Sequence, residues 1–155
     1  MSGKAVVIQN LSYKYGPKIA LRDFNLEVQT GVIHGLAGPT SAGKTTVMNI
    51  LAGTIKAVGG IGKIFNHRLG SLEARKITGY VPARPAFYSN LTVWEYLIYL
   101  GMISGLSKAE AGRRANMLLK EVDLYEFRDK NPLGFTPGMK TKIAIDRKST
   151  RLNSS

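Results

Sequence analysis

Residues 38–45 read GPTSAGKT and fit the pattern G-x-x-x-x-G-K-[ST]. The pattern dictates a local shape. Its glycines let the backbone turn tightly, so that successive N–H groups point at phosphate oxygens. A helix starting near Lys44 aims its N-terminal dipole at the same anion. Lys44 supplies a point positive charge to the outer phosphates. Thr45 offers a hydroxyl to Mg²⁺, which keeps several waters and takes few protein ligands. Such a loop needs an apolar strand before it and a helix after it. Residues 32–37 (VIHGLA) predict a buried strand leading into the loop, and residues 44–53 (KTTVMNILAG) predict a helix ending at Gly53.

The rest of the chain falls into two characters. Residues 4–9 (KAVVIQ), 24–29 (FNLEVQ), 59–65 (GGIGKIF) and 78–81 (TGYV) predict short strands, with a turn at Thr30-Gly31. Beyond Pro82 the pattern turns helical. Residues 91–104 predict a helix with Thr92 as its N-cap. Ser107-x-x-Glu110 opens another as a capping box, its apolar face continued by Leu118, Leu119 and Val122. Val93, Trp94, Leu97, Ile98 and Leu100 read as core packing against the α/β layer. Gly101 and Gly105 read as a helix end rather than a packing motif. An α/β layer is thus followed by a helical segment reaching about Lys130.

Composition narrows the setting. The chain has 155 residues, 44% hydrophobic, and no cysteine, which excludes disulfides and thiolate metal sites. The N-terminus lacks the apolar core of a signal peptide. The most apolar stretch, residues 91–106, contains Glu95 and is too short to span a bilayer. The reading is a soluble protein whose membrane role, if any, comes through a partner. The net charge of +12 raises nucleic acid as an option. With no dense basic block and no stacking-aromatic module, no nucleic-acid partner is expected.

The string GPTSAGKTTVMNILAG resembles the Walker A region of ATP-binding cassette (ABC) ATPases. LSYKYGPKIALRDFNLEVQTGVIHGLAGP resembles that family's opening strands, and GYVPARPAFYSNLTVWEYLIYLGMISGLS its Q-loop and following helices. The resemblance covers residues 5–145. It implies an α/β P-loop NTPase core of the ABC type, truncated, with an inserted helical subdomain. Residues 1–81 would be the α/β part, 82–140 the Q-loop, helical subdomain and signature, and 141–145 the start of a return to the core. It also implies an ATPase that binds ATP and Mg²⁺, pairs with a second cassette, and drives a transmembrane permease at the cytoplasmic face of the membrane. LTVWEYL is most like the ABC-2 or multidrug-exporter branch. The nucleotide residues carried over are Gly38, Pro39, Thr40, Ser41, Ala42, Gly43, Lys44, Thr45 and Thr46. Thr45 is the Mg²⁺ ligand and Tyr15 the adenine-stacking aromatic, with Tyr13 a weaker candidate beside it.

The departures are specific. Ala83 stands where the family has the Q-loop Gln, and it cannot contact Mg²⁺ or the attacking water. Residues 135–139 (FTPGM) stand where LSGGQ is usual: Thr136 keeps the hydroxyl and Gly138 a glycine, while Pro137 removes one N–H from phosphate contact. Thr40-Ser41 replaces the commoner Asn-Gly. The Walker B carboxylates and switch His lie beyond this sequence, so no catalytic residue is present and the chain as written is expected not to hydrolyse ATP. His34 and His67 match no switch position. Glu73, Glu95 and Glu110 match no Walker B context. Trp94 and Tyr88 are rim candidates for a groove facing a membrane partner. Other readings are a degenerate regulatory cassette, motivated by Ala83 and Pro137; a soluble cassette acting on ribosomes or DNA, motivated by charge; and a GTPase or small kinase, which fits the loop alone.

Residues 146–155 (DRKSTRLNSS) are polar, basic and unlike what precedes them. They are the in-frame translation of a common sequencing-adapter sequence, so the natural frame is expected to be cut near Ile145. Without the three basic residues and one acidic residue of this tail the charge is still +10. A genomic read is expected to diverge from DRKSTRLNSS after Ile145; a read continuing through it in frame overturns the expectation.

Overall fold

The computed structural model describes residues 3–146. The adapter-like tail, apart from the backbone of Asp146, lies outside the described residues. The chain divides after Gly79 into two compact units.

The first unit is built on a long antiparallel hairpin, β1 (Lys4–Tyr15) and β2 (Lys18–Gln29), closed at Gly16 with φ +55°. β1 also pairs antiparallel with β3 (Gly59–Ile64), which pairs with the two-residue β4 (His67–Arg68), giving the order β2-β1-β3-β4. The strand expected at 4–9 therefore runs on to Tyr15, and that at 24–29 begins at Lys18. A register irregularity between Ile8 and Leu11, with Asn10 at φ +51°, explains how residues three apart both turn inward. Ile8, Leu11 and Leu21 of the sheet bury against Val47 and Ile50 of α1 (Lys44–Leu51). Helix α1 closes at Gly53, φ +70°, as its sequence predicts. A shorter α2 (Leu72–Ile77) starts under a Ser71 hydroxyl that accepts the Ala74 N–H at 3.2 Å.

Two expected strands do not form. Residues 32–37 are irregular rather than a buried strand, and Ile33 is fully exposed. Residues 78–81 are irregular too. The reason is the same for both. A strand is held by a neighbour's N–H and C=O groups, and the sheet described here is wholly antiparallel, with neither run paired into it. β-propensity without a partner does not make a strand.

The second unit is helical: α3 (Val93–Ile103), α4 (Lys108–Glu121), two single 3₁₀ turns (Tyr125–Phe127 and Pro132–Gly134), and α5 (Pro137–Asp146). Thr92 caps α3 as expected and goes further. Its hydroxyl accepts the Glu95 N–H at 3.2 Å while the Glu95 carboxylate accepts the Thr92 N–H at 2.8 Å, a complete capping box. The bonds from the Thr92 backbone and hydroxyl hold the Glu95 carboxyl below the usual carboxylate range. The carbonyls of Lys130 and Arg128 accept the N–H groups of Val93 and Trp94 at 3.0 and 2.9 Å, which satisfies first-turn donors that the helix cannot. At Ser107 the hydroxyl accepts the Glu110 N–H, but the Glu110 carboxylate holds Arg114 at 2.9 Å, so its role is an ion pair one turn on rather than the return half of a box.

The apolar face of α3, expected to pack on the α/β layer, is buried inside the second unit itself. Val93, Tyr96 and Leu97 meet Ala115, Leu118 and Leu119 of α4 with Leu124 and Ile143, and Trp94 and Leu100 lean on that cluster. The reading of the two glycines holds for one only. Gly105, φ +95°, does end α3. Gly101 is instead a packing position, because a Cβ there would stand 2.7 Å from the Cβ of Ala111. Among the described residues no helix is long and apolar enough to cross a membrane.

Gly101→Ala sets two effects against each other. Alanine favours the helix by about 1 kcal/mol, while the clash costs about 1–3 kcal/mol. The expected net result is a loss of about 1 kcal/mol in urea denaturation; a stabilised variant would show that α3 and α4 yield freely at this point.

Candidate phosphate and base site

The loop 38–45 is the approach to α1. Gly38 is at φ +155°, and Gly43, at φ +87°, is the N-cap residue of the helix. Gly43 brings no capping side chain, and the first turn of α1 carries no acidic residue. The first N–H groups of a helix have no acceptor within it, so those of Lys44, Thr45 and Thr46 present a donor set, and a positive dipole end, that an anion complements. Thr45 is exposed, whereas Thr46 is buried. The Lys44 ammonium folds over the loop and donates to the carbonyls of Gly38 at 2.7 Å and Pro39 at 2.6 Å. Neither acceptor is charged. The ion pairs among the described residues (Lys4–Glu27, Glu110–Arg114 and Arg128–Asp129) leave the positive charge of Lys44 uncompensated. Loop, helix end and ammonium together fit a polyphosphate.

Glycine at position 43 is imposed from outside the loop. A Cβ there would lie 2.6 Å from the Ala20 carbonyl oxygen and 2.6 Å from Leu21 Cδ2. The phosphate loop is therefore seated directly on β2. This contact gives the base side of the site its position. Leu21 lies opposite Tyr13 in the β1–β2 register, and Tyr15 follows two residues on, opposite Lys18. Tyr13 and Tyr15 meet edge to face, ring centroids 4.9 Å apart. Tyr15 is 48% exposed at the end of the strand, while Tyr13 is half-buried against the core. A flat exposed ring suits a nucleobase, which stacks without a hydrogen-bond code. Leu21 and Ala20, which seat the loop, carry no sequence signal; the close approach at Gly43 reveals them.

The general loop pattern tolerates Ser41, but the structure shows a cost. Ser41 is at φ +69°, in the left-handed region where a Cβ crowds the backbone. The family's commoner glycine at this place now has a physical reason.

Apart from the histidines, the remaining candidates lie in the second unit. Ala83 is exposed in an irregular segment. The Thr136 hydroxyl accepts the Met139 N–H at 3.3 Å and so caps α5, with Pro137 as its first residue, where no N–H is needed within the helix. Gly138 is exposed one residue on. Tyr88 is half exposed and packs on Tyr99, and Trp94 is half-buried against the helical core. Of the histidines, His34 is exposed in the irregular approach to the loop and His67 begins β4.

Residues 21–151 match the family described as ABC transporter. Among curated proteins the chain is similar to YxlF of Bacillus subtilis (strain 168), an uncharacterized ABC transporter ATP-binding protein. The two are 33% identical over 138 residues, 89% of this chain and 46% of that protein. It is also similar to the sulfate/thiosulfate import ATP-binding protein CysA of Mesostigma viride, 30% identical over 145 residues, 92% of this chain and 41% of the relative. A solved structure of an ATP-binding subunit of an ABC transporter superposes with a TM-score of 0.75 at 32% identity, covering 92% of this chain and 60% of that one. The chain spans about half, or less, of the length of the curated relatives it matches.

Ser41→Gly is expected to stabilise the first unit. Relief of the left-handed strain is worth about 1–2 kcal/mol, against about 0.5–1 kcal/mol of added chain entropy. Denaturant unfolding should show a net gain, and a loss would mean that the serine hydroxyl holds the loop.

Proposed function

Because the chain belongs to the ABC transporter family, we propose that it forms the front part of a transporter's ATP-binding subunit, an ATPase that couples nucleotide binding and hydrolysis to transport. The observation that carries this reading is the uncapped start of α1, with the uncompensated Lys44 beside it and the exposed Tyr15 ring on the strand pair that seats the loop. The phosphates rest on the N–H groups of the loop, Pro39 having none to give, and of the first turn of α1 at Lys44, Thr45 and Thr46. Lys44 turns its ammonium from two neutral carbonyls to the phosphates. Thr45 directs its hydroxyl to Mg²⁺, and Tyr15 stacks adenine. Bound MgATP supplies the phosphoanhydride whose cleavage drives the cycle. The chain's own part is placement and charge neutralisation, the two things phosphoryl transfer requires of a protein.

In this reading the 155-residue chain binds nucleotide and does not turn it over. No carboxylate stands in a Walker B context, Ala83 offers only a methyl group, and Pro137 opens α5 without an N–H. The proposed partners are a transmembrane permease and a second cassette, which would hold the protein at the cytoplasmic face of a membrane. Export is proposed from LTVWEYL alone, since the similar CysA is named for import.

Titration calorimetry of the chain with MgATP tests the site. Lys44→Ala should weaken binding about tenfold or more, because a charged hydrogen bond contributes about 1.5–3 kcal/mol. Unchanged affinity would remove Lys44 from the site. Single-turnover cleavage faster than in Lys44→Ala would show that the chain does hydrolyse ATP.

A further inference from the structure

We propose that Tyr13 is a positioning residue for the nucleobase: it does not stack the base but fixes the ring of Tyr15 that does. The inference rests on the reading above, in which Tyr15 is the adenine platform. The β1–β2 pairing is irregular between Leu11 and Lys14, yet the rings of residues 13 and 15 touch, which puts them on one face of β1. It is the face that also carries Leu11, buried against Val47 and Ile50 of α1. Tyr15 sits at the last position of β1, opposite exposed Lys18, and is itself 48% exposed. An aromatic ring so placed swings between rotamers, and ordering it on binding costs entropy. The edge-to-face contact with Tyr13, centroids 4.9 Å apart and planes at 76°, removes that freedom before the nucleotide arrives.

Tyr13 can do this because it is itself held. It is half-buried against the first unit's core and lies across from Leu21, the residue whose side chain meets the position where a Cβ of Gly43 would be. The line Gly43, Leu21, Tyr13, Tyr15 therefore references the stacking plane to the phosphate loop. A shift of the loop on β2 moves base and phosphate supports together.

The test uses the full chain and two probes, MgATP and inorganic tripolyphosphate with Mg²⁺, the latter having no base. Affinities are measured by calorimetry for the wild type, Tyr15→Ala, Tyr13→Phe and Tyr13→Leu. An aromatic pair of this kind supports about a three- to tenfold effect. Tyr13→Leu should weaken MgATP about fivefold and leave tripolyphosphate unchanged, and Tyr13→Phe, which keeps the ring, should bind both as the wild type does. Tripolyphosphate binding weakened in parallel would mean that Tyr13 only supports the fold, and would overturn the proposal. So would Tyr13→Leu binding MgATP normally while Tyr15→Ala binds it weakly. If Tyr15→Ala binds normally, the stacking role of Tyr15 itself is lost. Weak MgATP binding by Tyr13→Leu alongside that result would make Tyr13 the platform.

Discussion

Everything in the first unit that bears on phosphate depends on one missing side chain. At Gly43 the loop backbone lies so close to Ala20 and Leu21 that even a methyl group has no room. That closeness sets where α1 begins, hence where its free N–H groups point. It also ties the loop to β2 rather than leaving it a tethered turn between elements. Backbone approach of this kind is rigid in a way side-chain packing is not, because a carbonyl oxygen cannot rotate aside as a rotamer can. Once the loop is seated, the hairpin register carries that position to the tyrosines at the strand end.

How much of this could be read in advance follows from how local each feature is. The loop, the helix behind it, the cap at Thr92 and the helix stop at Gly53 are written in a few adjacent residues, and the structure has them where the sequence puts them. Ser41 was legible as a departure but not as strain, since its left-handed backbone is a property of the folded loop. Residues 32–37 misled because an apolar β-branched run states only a preference, and the pairing that satisfies it is non-local. Gly101 misled for the opposite reason: helix-end glycine is a local habit, and its meaning here comes from Ala111 on another helix. The seat of the loop at Leu21 left no mark in the sequence at all.

The helical unit shows the same division between local and distant control. Its helices start where capping residues say, but what holds α3 at its start is a pair of carbonyls from residues 128 and 130. The segment aligned with the family's signature is shaped first as a helix start: Thr136 caps, and Pro137 occupies the position where its missing N–H costs the helix nothing. What it gives up is donor capacity toward an anion. Folding and phosphate contact thus place different demands on the same residue, and here the residue serves the first.

The irregular run before the phosphate loop has one more consequence. Residues 32–37 keep the chemistry of a strand, with two exposed β-branched residues side by side at Val32 and Ile33, and no partner strand within the described chain. Unsatisfied strand edges recruit other edges, including those of neighbouring molecules. With no proline and no acidic residue inside it, this run has little to resist such recruitment. In a concentrated solution, the stretch that delivers the chain to its phosphate site is also exposed to association with other molecules, so the same few residues bear on solubility and on the approach to the ligand.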